Sequence, residues 1–139
     1  MHGWCAGRRT GVTVAGSVGT FGPDPAGVRQ ARRFLRAVLR DLGSGQVGPG
    51  LAELLLMAAN ELTTNAVLHA RTEFTVRVLV DPVLIRVEVS DENPRLPRLC
   101  LVPADATSGR GLAVIDGSGL EWGVDRYPGG KTVWVTAHR

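Results

Sequence analysis

A glutamate and an asparagine stand four residues apart in the segment Glu61-Leu62-Thr63-Thr64-Asn65-Ala66-Val67-Leu68-His69-Ala70. The surrounding apolar spacing is that of an amphipathic helix, where residues i and i+4 share one face. An asparagine amide offers a neutral oxygen to Mg²⁺, a hard cation that keeps several waters and takes phosphate oxygens into its shell. A carboxylate beside it can accept a proton from a hydroxyl or water attacking phosphorus. The pair therefore suggests phosphoryl chemistry, although the same spacing occurs on many solvated helix faces, so that it is a weak signal by itself.

Two further stretches carry the same theme. Val87-Glu88-Val89-Ser90-Asp91 alternates as a strand and ends in a carboxylate followed by the turn-forming Asn93-Pro94. Such a strand end holds a side chain rigidly, and Asp91 could accept a hydrogen bond from the exocyclic amine of adenine. Ser108-Gly109-Arg110-Gly111 then runs into the apolar segment Leu112-Ala113-Val114-Ile115. Glycines at 109 and 111 let backbone N–H groups and a helix N-terminus face an anion. Arg110 either adds positive charge there or points outward as an ordinary loop arginine.

In this order the three stretches resemble the N box and the two glycine boxes of the histidine-kinase-like (GHKL) ATPases. The likeness is closer to the small branch containing the anti-sigma-factor serine/threonine kinases, and it extends to the terminal Trp122-Gly123 and Gly129-Gly130-Lys131-Thr132-Val133-Trp134. The resemblance implies a Bergerat-type ATP-binding fold and ATP with Mg²⁺ as cofactors. It assigns Asn65 to the metal, Glu61 to proton acceptance as the catalytic base, Asp91 to adenine, and Gly109, Arg110 and Gly111 to the phosphates. Asp91-Glu92-Asn93-Pro94 departs from the glycine-hinged Asp-x-Gly-x-Gly of many members.

The elements that must position these residues follow from periodicity. Residues 1–22 read as a flexible leader or an edge strand, with Val12 to Val18 pairing either with the sheet or with a second subunit as a homodimer. The ATP-binding domain is expected over 23–139. Asp24 and Pro25 signal a helix start, and Gly43-Ser44-Gly45 ends that helix near Leu42. A second helix is expected from Pro49 to about His69, its core stripe formed by Leu51, Leu54, Leu55, Ala58, Leu62 and Ala66, with Glu61 and Asn65 at the border. His69 reads either as a rim residue of the site or as a helix-end histidine satisfying the last carbonyls.

Phe74 to Val80 and Ile85 to Val89 read as a hairpin around Asp81-Pro82. Asn93 to Thr107 is loop chemistry and corresponds, in the resemblance, to a lid over the phosphates. A short helix over 111–116 and two last strands, Glu121 to Arg126 and Lys131 to Ala137, complete a two-layer α/β sandwich with helices on one face of a mostly antiparallel sheet. Trp122 and Trp134 are expected to pack across the terminal hairpin. Lys131-Thr132 resembles a Walker ending by letters only, because the required upstream glycine is absent.

With 139 residues and 44% hydrophobic content, the chain suits one compact unit. No run approaches the roughly 18 apolar residues of a membrane span, and two cysteines suggest neither a disulfide framework nor a thiolate metal site. A cytoplasmic protein is the resulting expectation. The net charge of +3 includes one local concentration, Arg29, Arg33, Arg36 and Arg40 at helical spacing, which reads as a solvated face or a docking surface for an acidic partner. Nucleic acid is a poor candidate, since no aromatic residues interleave with these arginines. The leading function is an ATP-dependent serine/threonine protein kinase of the anti-sigma-factor type, with a sigma factor or an antagonist protein as partner. The alternative is a nucleotide-gated interaction module with little turnover.

Overall fold

The computed structural model describes residues 15–42, 47–95 and 120–139. The short helix expected over 111–116, Gly109, Arg110, Gly111, residues 12–14 of the expected first strand and most of the proposed lid lie outside the described residues. Five strands form one antiparallel sheet: β1 (Ala15–Phe21), β2 (Phe74–Val80), β3 (Leu84–Asp91), β4 (Glu121–Tyr127) and β5 (Gly130–His138), in the spatial order β1-β2-β3-β5-β4. Helices α1 (Pro25–Leu42) and α2 (Pro49–Asn65) pack on one face, α1 over β1 and β2, α2 over β3 and β5. This is the two-layer sandwich expected from the sequence. No helix among the described residues is long and apolar enough to cross a membrane.

Helix α1 begins where its cap predicts, the Gly27 N–H donating to Asp24 Oδ1 at 2.7 Å. Its Ala31, Leu35 and Leu39 are buried, while Arg29, Arg33, Arg36 and Arg40 remain exposed on the far side. Within the described residues the opening strand runs past the expected end at Val18, to Phe21. Phe21 is what anchors it, its ring 5.8 Å from that of Phe34 and 5.7 Å from that of Phe74. Tertiary aromatic packing thus sets the strand, in full register with β2 from Ala15↔Val80 to Phe21↔Phe74.

The β2–β3 hairpin closes as read, with the Val83 and Leu84 N–H groups donating to Asp81 Oδ1 at 2.7 and 2.6 Å. Ile85, Val87 and Val89 of β3 join Phe74, Val76 and Val78 of β2 in the core under Leu55, Ala58 and Leu62 of α2. The two tryptophans do not pack on each other. Trp122 pairs with Val135 and borders the core, whereas Trp134 pairs with Gly123 and belongs to the opposite face. An odd register offset between two residues on paired strands sends their side chains to different sides of the sheet.

The polar members of β3 also depart from simple alternation, which predicts that they face water. Arg86 and Glu88 are buried on the face away from the helices. Arg86 Nε donates to Glu88 Oε1 at 2.8 Å, its Nη2 lies 3.6 Å from Asp125 Oδ2, and its guanidinium stacks 4.4 Å from the Trp134 ring centroid. Asp24→Ala, which removes the α1 cap without touching either layer, should lower the unfolding free energy by about 1 kcal/mol at unchanged denaturant slope in urea titration.

Candidate functional site

Glu61 and Asn65 occupy the last turns of α2, Glu61 half-buried and Asn65 buried. Helix α2 does not continue as an α-helix to His69. The chain widens into a π-helical turn over Ala66–Ala70, closed by the Arg71 N–H donating to the Ala66 carbonyl at 3.0 Å. Arg71 then takes a left-handed conformation, φ 56° and ψ 29°, and is the one non-glycine residue with positive φ among those described. A π turn closed by a left-handed residue is one of the ways a helix C-terminus ends.

Three residues after this turn β2 begins, and Phe74 stands opposite Asp91, the last residue of β3. The Glu92 N–H donates to Thr72 Oγ1 at 3.1 Å, tying the end of β3 to the segment that leaves the π turn. The helix end carrying Glu61 and Asn65 and the strand end carrying Asp91 thus meet at one end of the helix–sheet interlayer. Asp91 faces that interlayer because it continues the alternation of Ile85, Val87 and Val89. Asn93 is a turn former, as read: its own N–H donates to Asp91 Oδ1 at 2.9 Å, and its Oδ1 accepts from the Arg95 N–H at 3.0 Å.

Lys131, which the sequence reading weighed only as a Walker-like ending, is the partner of Asp91. It stands directly across from Asp91 in the β3–β5 register, and its Nζ lies 2.9 Å from Asp91 Oδ1 and 2.8 Å from the Asn93 carbonyl. The strands approach so closely here that a Cβ on Gly130 would strike the Asp91 carbonyl oxygen. Tyr127 Oη adds longer bonds to the Asp91 and Lys131 carbonyls, at 3.3 and 3.4 Å. One sequence signal was available, since Lys131 is the single lysine in a chain with 16 basic residues.

Known proteins decide the family. The sequence profile of the histidine kinase-like ATPase domain matches residues 21–137. The chain belongs to the histidine kinase-like ATPase domain family. An uncharacterised protein of Streptomyces coelicolor is 47% identical over 58 residues, a stretch spanning 40% of this chain and 55% of that protein. Among solved structures, the crystal structure of the RsbU and RsbW domains of a Mycobacterium tuberculosis protein matches with a TM-score of 0.64 at 18% identity, covering 90% of this chain and 33% of that one. At that identity the likeness speaks to the fold. This histidine kinase-like ATPase domain is accordingly an ATP-binding one.

The residues present fit a nucleotide with a divalent ion. Asn65 Nδ2 is buried without a hydrogen-bond partner, and a buried unsatisfied amide costs about 1–3 kcal/mol. Amide nitrogen and oxygen exchange places by rotation of the terminal torsion, so the same side chain can present its oxygen to a cation. Among the described residues no cluster of three or more His, Cys, Asp or Glu could hold a metal ion, so an ion at Asn65 would share its shell with phosphate oxygens and water. The Thr63 hydroxyl donates back into its own helix, to the Ala59 and Asn60 carbonyls at 2.9 and 3.2 Å.

Burial raises the Glu61 carboxyl above its ordinary value, because desolvation disfavours the charged form. A raised value brings a carboxylate base nearer to neutral pH, where proton acceptance is most effective. The sign for stability follows. The favourable contribution of the protonated form is complete below the unfolded-state value and is lost as pH rises through the higher folded-state value. Glu61→Gln should therefore gain melting temperature relative to the native chain as pH is raised from about 4 to about 7, and match it most closely at the acidic end. Thermal unfolding across that range checks the direction.

Proposed function

We propose that this domain is an ATP-dependent serine/threonine protein kinase of the anti-sigma-factor type, acting on a partner protein. The observation that carries the reading is the meeting of the Glu61–Asn65 helix end with the Asp91 strand end in a family whose domain binds ATP. The resemblance of the three sequence boxes to the anti-sigma kinases, and the fold likeness to a structure that includes an RsbW domain, support the partner class. A sigma factor or an antagonist of the anti-sigma function is the expected partner.

In this reading Asp91 accepts a hydrogen bond from the adenine amine and Asn65 provides an oxygen to Mg²⁺. The ion, when bound, neutralises phosphate charge as it develops. Glu61 takes the proton of the attacking hydroxyl as its oxygen bonds to the γ-phosphorus and the bond to the ADP oxygen breaks. The half-buried Glu61, with its raised proton affinity, suits this exchange better than a fully solvated carboxylate would. Gly109, Arg110 and Gly111 are proposed to receive the phosphates through backbone N–H groups and one guanidinium.

Thermal unfolding with ATP tests the binding step, since a ligand at 100 times its Kd stabilises the native state by about 2.7 kcal/mol. The native chain should gain stability with ATP and gain more when Mg²⁺ is added. Asn65→Ala should lose the Mg²⁺-dependent increment. The same substitution deletes a buried amide nitrogen without a partner, so the nucleotide-free variant should be about as stable as the native chain. The transfer step is read with γ-labelled ATP and candidate antagonist proteins. Glu61→Ala is expected to bind nucleotide yet transfer no label, and undiminished transfer would remove Glu61 from its role. Nucleotide binding with no labelled product from any partner would instead identify a nucleotide-gated interaction module.

A further inference from the structure

We propose that Lys131 is a positioning residue for base recognition, holding Asp91 so that one carboxylate oxygen is presented to the exocyclic amine of a purine. The inference rests on the reading of Asp91 as the group that contacts the base. Lys131 Nζ and the Asn93 N–H both bond to Oδ1 of Asp91, at 2.9 Å each. Among the described residues no donor reaches Oδ2. A carboxylate accepts at both oxygens, and here one is saturated by the protein while the other is left for a ligand. The Lys131 and Asp91 side chains are only 5% and 3% exposed, so the ammonium cannot swing away into water without stranding a buried charge.

The choice of lysine is informative because the chain otherwise uses arginine, the remaining 15 of its 16 basic residues. Burial alone does not call for the change, since Arg86 is buried against Glu88 on the other face of the sheet. What differs is the shape of the receptor. At Lys131 a single nitrogen must sit between one carboxylate oxygen and the Asn93 carbonyl, 2.9 and 2.8 Å away. A compact ammonium meets both oxygens from one point, whereas the planar guanidinium fork spreads its donors and would engage both carboxylate oxygens in bidentate fashion. Arginine at 131 would therefore occupy the oxygen that lysine leaves open.

The test compares ATP with purine riboside triphosphate, which lacks the 6-amino group, by titration calorimetry on the full chain. The native protein is expected to prefer ATP by at least about tenfold, the usual worth of a hydrogen bond to a charged group. Lys131→Met and Lys131→Arg should both bring that preference to within about twofold, as Asp91→Asn should. Lys131→Arg keeps the positive charge and serves if Lys131→Met does not fold, with circular-dichroism melting as the check on each variant. A residue that only stabilised the sheet would weaken both nucleotides in proportion and leave their ratio intact. An unchanged ratio in a folded Lys131 variant overturns the proposal, even if overall affinity falls. A native protein that binds both compounds equally also overturns it, while the ATP-site reading stands. A native protein that binds neither compound overturns that reading and this inference together.

Discussion

Strand β3 is paired on both sides along its length, and its register against β5 governs what the interlayer presents to a ligand. Because successive side chains alternate, the run Ile85, Val87, Val89 carries Asp91 to the helix side, and Val133, Val135 and Ala137 carry Lys131 there with it. A slip of one residue in β3 would send Ile85, Val87 and Val89 to the far face and separate the carboxylate from its cation. The free energy of burying those apolar side chains, about 1.5–3 kcal/mol each, thus enforces the geometry of two polar groups that contribute little to it. The ion pair at the strand end depends on the core rather than the reverse.

The other face of the same strands holds a second polar system. Arg86, Glu88 and Asp125 span β3 and β4 across β5, with Trp134 of β5 under the guanidinium and the Ser90 and Thr132 hydroxyls bonded at 2.7 Å. Cross-strand pairs of this kind are the unit of sheet stabilisation, and charged pairs of opposite sign also discriminate against wrong registers. A buried pair of charges adds little net stability compared with apolar residues of similar volume. Its effect here is on which strand residues stand opposite one another, and hence on whether Asp91 meets Lys131.

At the helix end the structure gives up local stability. A π turn, a left-handed arginine and an asparagine amide nitrogen without a partner fall within seven residues, from Asn65 to Arg71. Each is unfavourable in isolation, a left-handed non-glycine residue by about 1–3 kcal/mol. The π turn also lets the chain leave α2 and enter β2 with Phe74 opposite Asp91, so that the end of α2 and the end of β3 lie at one end of the sandwich.

Much of this was legible in the residue order, wherever neighbours in sequence decide the outcome. The Asp24 cap, the Asp81 hairpin turn, the amphipathic α1 and the Asn93 turn rest on hydrogen bonds or periodicities a few residues long. The family resemblance was likewise carried by short motifs. Tertiary structure decided the rest. The extension of β1 to Phe21 needed Phe34 and Phe74, the burial of Arg86 needed Asp125 and Trp134, and the tryptophans took opposite faces through an inter-strand offset. Lys131 and Asp91 are 40 residues apart, and only the closure of β3 on β5 makes them partners. Local sequence specifies which groups exist and which way each element turns; long-range pairing, driven by burial of the shared core, specifies which of those groups meet.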